Sequence, residues 1–507
     1  MKSKTFFFVV ACLLIILFQI GCGNKNSSEK IESFPFGVAS GAPEPNSVLI
    51  WTKTTSNYSN KKVHWQVSKD SLFNNVIKEG YQTSNAENDF TIKTKVDGLE
   101  PSTFYYYRFF IDKKASSTLG RTKTLPGEEE DIKSFNIALV NCNNFQDGYF
   151  NAFEALSRRN DIDLVIHLGD YIYEYQAGRY ADTTLLDRKH KPAHEIVSLN
   201  DYRMRYAQYR SEKEFQKVHA KFPFLFIWDD HEFANDAYVK GAKNHNNNEG
   251  VWQDRQANAI KAYMEWMPIY KSPEKNPPHQ IQIGKLIDLL LLEERASART
   301  KQINPCELDT TQVINHTLLG KKQINTLVNV IENSSKKWTV IANQVPFTGY
   351  SKVDSLFSLK YQDWWLGYPK DRNQVIEAFK KAKNKPIILT GDHHRSFIMS
   401  LHQDKLNPCK PKYITGYKEK PLAWEVMVPS VTSKNHDAYP DSIVNKYVNK
   451  LVNSKYNPHI KFADLNSHGF TIMHFYQDRA QAEYVFMETV KEKNKAIKQV
   501  ATFELEY

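Results

Sequence analysis

Four apolar runs in the chain, FNIALVNC, DLVIHLGD, FPFLFIWDD and KPIILTGD, lack polar alternation, and each ends in an acid or a thiol. A strand with one wet face alternates, so uninterrupted apolar strands predict a sheet covered on both faces. Together with KWTVIANQ they are spaced by helical stretches such as YFNAFEALSRR and RNQVIEAFKKA, which is the grammar of an α/β fold. Such sheets collect ligand-binding groups beyond the carboxyl ends of their strands. The ends here carry Cys142, then Asp170 and Tyr173 in GDYIYEY, then WDDHE at 228–232, then TGDHHRSF at 390–397. Near the C-terminus, GFTIMHFYQDRAQAEYVFMET and KQVATFELEY return to alternation and predict a second sheet packed on the first.

The chain has 507 residues, more than one core usually serves, so two domains are expected. From Phe34 to Pro126 the runs SVLIWTK, KKVHWQVS, DFTIKTKV and TFYYYRFFI are short and separated by turns. In the third, Phe90, Ile92, Thr94 and Val96 alternate with polar residues, which predicts a small all-β sandwich over 34–126. The acidic stretch PGEEED at 126–131 marks the change to α/β grammar, which then runs over 127–507.

Ahead of both, Lys2 and Lys4 precede the apolar TFFFVVACLLIILFQI and a small-residue step at Gly21 and Cys22. This is the layout of an export signal over 1–21, the apolar run being short and early for a membrane span. Cys22 after Gly21, followed by polar residues, resembles a bacterial lipobox, although Gln19 stands where leucine is usual. The resemblance implies lipidation of Cys22, a tether over 22–33 and a membrane-anchored protein on the periplasmic or outer cell surface. Removing the signal lowers the formal charge of +10 to +8, and no basic block with interleaved aromatics suggests nucleic-acid binding. Of five cysteines, Cys142, Cys306 and Cys409 remain; an oxidising compartment predicts a Cys306–Cys409 disulfide if their α-carbons approach within about 7 Å.

Taken together, the strand ends would crowd carboxylates, a thiol and imidazoles onto one edge, where repulsion and desolvation are costly. Cations remove that cost. Two of them about 3.5–4 Å apart, bridged by one carboxylate, would make a two-metal hydrolytic site.

These motifs resemble the PhoD-like alkaline phosphatase family. The shared stretches are FGVASGAPEPNSVLIWTK, GDYIYEY, WDDHE, DWWLGYPKDR at 363–372, GDHH and VPSVTS at 428–433, in order from about Phe34 to the C-terminus. The resemblance implies a metallophosphoesterase β-sandwich flanked by helices, behind a fibronectin type III-like sandwich whose L-x-P-x-T-x-Y-x-Y signature falls on Leu99, Pro101, Thr103, Tyr105 and Tyr107. It implies Fe3+ held by Cys142, Asp170 and Tyr173, with Asp170 bridging to Ca2+. Asp230 takes the place of the metal-binding asparagine of the broader calcineurin-like enzymes, and Asp392 and His394 match the late ligand pair. His231 is then catalytic, steadying the phosphoryl oxygens or protonating the leaving group. Tyrosine with a pKa near 10 suits a trivalent cation better than a weakly polarising divalent one. A last C-terminal ligand would be His459 or His468. Departures are Asn141 for serine, His393 for an aliphatic residue and Glu294 for aspartate.

The activity so implied is metal-dependent hydrolysis of phosphate mono- or diesters, with in-line attack by hydroxide and no phospho-enzyme. A diester-preferring phosphodiesterase or phospholipase uses the same ligands and stays open. A non-catalytic surface-binding protein would have lost ligands, and the early ones are all present.

Overall fold

The computed structural model describes residues 33–112, 115–185, 187–275, 277–307, 315–351, 362–402 and 420–506. The Leu164–Leu168 strand shows why the apolar runs are unbroken. Val165 faces a layer of helices containing Phe153, Phe215 and Val218. Leu164, Ile166 and Leu168 face Leu289, Val340, Leu389 and Val426 of a second sheet. On that second sheet Leu290, Ile341 and Ile388 turn outward to Leu327, Ile331, Val375 and Phe379 of the Gly320–Asn333 and Pro369–Lys381 helices. The result is four layers, helix, sheet, sheet and helix, with every central side chain covered. Each fully buried Leu, Ile or Phe contributes about 1.5–3 kcal/mol.

The first sheet has nine strands, in the order Ile497–Glu504, Ala480–Met487, Gly469–Tyr476, Ser134–Val140, Leu164–Leu168, Pro223–Ile227, Val38–Glu44, Ser47–Lys53 and Thr91–Asp97. The second has seven: His279–Ile283, Ile287–Leu291, Trp338–Asn343, Ile387–Thr390, Ala423–Met427, Ser396–Leu401 and Ile460–Asp464. In each, the central strands are parallel, so their carboxyl ends share one edge.

Two details differ from the expected arrangement. KWTVIANQ and KPIILTGD join the second sheet instead of the first, and the C-terminal strands extend the first sheet, Gly469–Tyr476 pairing antiparallel with Ser134–Val140. An apolar run reports burial on both faces, and both sheets offer that, so the pattern alone does not assign a strand to either.

The N-terminal strands form a five-stranded sheet packed on Val38–Glu44, Ser47–Lys53 and Thr91–Asp97 through Val38, Ile50, Val67, Ile92 and Phe109. The Tyr105 hydroxyl accepts the Glu100 amide at 2.8 Å, closing the corner after Leu99. Sequence grammar changes near 126, yet the backbone ladder crosses that point: Ser40 and Gly41 pair in parallel with Pro223 and Phe224. Phe34–Tyr507 accordingly forms one compact unit. Among the described residues no helix is long and apolar enough to cross a membrane. Cys306 is disulfide-bonded and Cys142 is a free, buried thiol. Cys409 and Cys22 lie outside the described residues.

Candidate metal centre

The parallel strands of both sheets deliver their ends to one place. Ser134–Val140 leads to Cys142, Leu164–Leu168 to Asp170, and Pro223–Ile227 to Asp229, Asp230 and His231; from the second sheet, Ile387–Thr390 leads to Asp392 and His394. Four of these residues adopt left-handed backbone, with φ of 52° at Cys142, 56° at Asp170, 58° at Asp392 and 62° at His394. Non-glycine residues in that region cost about 1–3 kcal/mol each, and such strain gathers at functional sites. Both Gly-Asp turns also need their glycine. A Cβ on Gly169, at φ 104°, would lie 2.5 Å from the Asp229 Cβ, and one on Gly391 would lie 2.7 Å from the Leu168 carbonyl oxygen. The glycines let the turns of the two sheets close on each other.

Among the described residues three overlapping sets of ligand atoms result, each with its members within 4.8 Å: Cys142, Asp170 and His394; Asp170, Asp230 and His231; and Asp229, Asp230 and Asp392. Asp170 belongs to the first two sets. Its Oδ2 accepts from Tyr173 at 2.9 Å and faces the Cys142 Sγ at 3.4 Å, while its Oδ1 faces the His231 amide at 3.4 Å. The carboxylate thus points one oxygen into each compartment. Tyr173 also lies 3.4 Å from His394 Nε2 and accepts from Ser433 Oγ at 2.6 Å. The His394 Nδ1 bonds the Lys434 carbonyl at 2.9 Å, which leaves the Nε2 lone pair facing Cys142 and Tyr173.

Electrostatics tests whether these donors fit cations. Burial, with neighbouring acids, raises Asp170 to about 6 and pushes Asp229 and Asp392 well above the usual carboxylate range. Burial first and Asp170 next push up the Cys142 thiol and the Tyr173 phenol. Burial lowers His394 to about 3, keeping it a neutral ligand type. Among the described residues, Asp229 Oδ2 and Asp230 Oδ1 are buried without a hydrogen-bond donor. A thiol, a phenol, a neutral imidazole and under-satisfied carboxylates on one edge are groups that cations satisfy.

The sequence did not single out the groups that hold this edge. Glu232 accepts the amides of Tyr171 at 2.5 Å, Asp229 at 2.8 Å and Asp170 at 3.1 Å, so one buried carboxylate pins both turns. Replacing it with glutamine turns one acceptor into a donor against those amides. Glu232→Gln is expected to lower stability by about 1–3 kcal/mol, read as a fall in the thermal midpoint. Arg295 donates to Asp229 at 2.5 Å and Asp363 at 2.9 Å, and its other nitrogen lies 3.6 Å from Asp230 and 3.8 Å from Asp392. Arg299 also clamps Asp363, which gives the DWWLGYPKDR motif a charge-balancing role. Glu294 accepts from Trp365 at 3.0 Å and the Val345 amide at 3.0 Å, and so serves packing.

His231 is separate in kind. Its Nδ1 meets the Glu174 carboxylate at 2.6 Å, both groups being buried. Burial would depress its imidazolium, but Glu174, Asp170 and Asp230 raise it well above the ordinary value. Glu174, which burial would raise, is held down to about 2 by His231 and by donors from Asn235 and Asn244. His459 bonds the Gly349 carbonyl at 2.9 Å, and His468 bonds Ser430 at 3.0 Å and Asp437 at 3.4 Å; neither is a member of the three ligand sets. His393 packs against Trp364 and Phe397 and bonds Tyr350 at 3.1 Å.

Residues 137–484 match the PhoD-like phosphatase family, and residues 21–126 match the PhoD-like phosphatase N-terminal domain. Alkaline phosphatase D of Bacillus subtilis (strain 168) is 32% identical over 509 residues, covering 97% of this chain and 84% of that protein. A solved structure described as the structure of PhoD superposes with a TM-score of 0.82 at 31% identity, covering 93% of this chain and 90% of that one. Strand ends, shared carboxylate and sequence likeness coincide over nearly the whole chain: it belongs to the PhoD-like phosphatase family and is a phosphoric ester hydrolase.

Proposed function

We propose that this hydrolase is an exported, lipid-anchored enzyme that cleaves phosphate mono- and diesters at a centre holding iron and calcium. Cys142, Asp170, Tyr173 and His394 would hold the iron, and Asp170, Asp230 and Asp392 the calcium. Asp229 holds Arg295 against the same edge. When bound, the cations supply Lewis acidity that acidifies water and neutralises phosphoryl charge. The chain's own residues do the rest. Asp170 fixes the spacing of the two compartments, Ser433 and Lys434 orient Tyr173 and His394, and His231 delivers a proton to the departing alkoxide from the face that Glu174 holds in register. The observation that carries this reading is the pair of Asp170 oxygens, one directed at a thiol and a phenol, the other at the backbone amide of His231.

Residues 1–21 would be the export signal, 22–33 the tether from lipidated Cys22, 34–126 the fibronectin-like part and 127–507 the phosphoesterase part. A disulfide between Cys306 and Cys409 would fit that compartment.

The metal assignment is tested by colour. A phenolate on ferric iron gives a visible charge-transfer band, whereas calcium or zinc gives none. Protein purified without chelator is expected to be coloured, and Tyr173→Phe to bleach or shift the band and to lower turnover roughly 10–100-fold with little change in folding. An unchanged spectrum in that variant would make Tyr173 a packing residue. Turnover of a nitrophenyl monoester beside the matching diester sorts the substrate class.

A further inference from the structure

Three cations stand one helical turn apart on the Lys213–Lys221 helix: Lys213, Lys217 and Lys221. With Arg121 they line a groove of about 540 Å3, in which four of nine lining residues are cationic and none is acidic. Apolar groups stand beside them. Leu119 is 45% exposed and Phe104 40%, and the Arg121 guanidinium lies 4.1 Å from the centre of the Phe104 ring. The Lys217 side chain remains 54% exposed while bonding Glu154 at 2.7 Å, and Lys221 is braced by the Ser157 carbonyl and Asn160, each at 2.8 Å. Cations beside exposed apolar side chains are the surface chemistry of an interfacial contact.

The chain also enters the fold here. Gln216, on the same groove, donates to the Pro35 carbonyl at 2.9 Å. Residues 23–33 between Cys22 and that point span at most roughly 40 Å when extended. They contain Lys25, Lys30, Glu29 and Glu32, so the tether carries no net charge to orient the body.

We propose that this groove docks on the anionic face of the lipid bilayer to which the chain is tethered; the proposal rests on the reading that Cys22 carries the lipid. A tether restricts distance and leaves rotation free. The lysine groove supplies the orientation, each basic residue near an anionic leaflet favouring the contact by about fivefold. The attraction fades beyond a Debye length of about 8 Å at physiological salt, so it acts only with the groove against the headgroups.

The test uses the full lipidated chain on vesicles of phosphatidylcholine alone or with phosphatidylglycerol. A membrane-impermeant reagent acetylates amines, and peptide mass spectrometry reads the rate at each lysine. Lys213, Lys217 and Lys221 are expected to react at least about fivefold more slowly on the anionic vesicles, and high salt to abolish the difference. Lys381, on a helix covering the opposite outer face of the sandwich, is expected to keep its rate. Equal rates at the three lysines on both vesicle types would overturn the proposal. So would protection by inorganic polyphosphate in detergent without protection by anionic vesicles, which would give the groove to a soluble polyanion. Flotation with phosphatidylcholine vesicles, lost in Cys22→Ser, reports the anchor separately.

Discussion

Asp170→Asn is expected to cut phosphoesterase turnover on the order of 10³-fold or more and to empty both compartments, read as loss of iron and calcium from the purified protein. The carboxamide keeps the size of the side chain and an acceptor for Tyr173. It removes the one charge that both ligand sets share. Cation charge stabilisation is worth several kcal/mol at the transition state, and each 1.36 kcal/mol is a factor of ten. Stability should move in opposite directions with and without metal. In chelator-stripped protein the folded carboxyl titrates near 6 instead of 3.8, so the folded state binds this proton more tightly than the unfolded one. The ionised group therefore opposes folding above about pH 6, and the opposition disappears as pH falls toward 3.8. At pH 7 the stripped variant should unfold at a higher temperature than the stripped parent, by an amount worth on the order of 3 kcal/mol. In metal-loaded protein the parent should be the more stable. A variant that keeps both metals and most of its activity would sink the shared-carboxylate reading.

That experiment depends on a residue the sequence exposes directly, because Asp170 follows an apolar strand at the edge where α/β sheets bind ligands. Asp230, Asp392, His394 and Cys142 are readable for the same reason: each lies within four residues of the carboxyl end of a strand buried on both faces. Tyr171 and Tyr175 show the limit. Nothing in the spacing of GDYIYEY separates either of them from a packing residue beside Tyr173. Tyr171 does lie in the aromatic core, bonded to His219 at 2.9 Å. Tyr175 has its ring 5.3 Å from His231 and borders the site instead. Glu174, between the same tyrosines, gives no local sign of its partner, because His231 is 57 positions away and the 2.6 Å contact exists only once two strands lie side by side. Arg295 is hidden for a similar reason. Its charge is balanced by Asp229 and Asp363, 66 and 68 positions distant, so spacing along the chain says nothing of the pairing. Which sheet a strand joins was likewise unreadable, since an apolar run records coverage and not the identity of its neighbours.

The Glu174–His231 pair gives the second large effect. If His231 protonates the leaving alcohol, His231→Ala should lower turnover of an alkyl phosphate about 10²–10⁴-fold while iron and calcium content stay near those of the parent. A nitrophenolate departs without needing a proton, so the same variant should lose at least about tenfold less on a nitrophenyl ester. Glu174→Gln separates orientation from charge. Its amide oxygen still accepts from Nδ1, which preserves the ring position, but the carboxylate that raises the imidazolium is gone. Turnover should fall about 10–100-fold. The alkaline limb of the rate profile should move to lower pH, because an imidazolium with a lower pKa gives up its proton earlier as pH rises. Metal content falling in step with activity in His231→Ala would make His231 a ligand. His231 would then join Asp170 and Asp230 in the second compartment, and proton delivery would have to come from another group on the same edge.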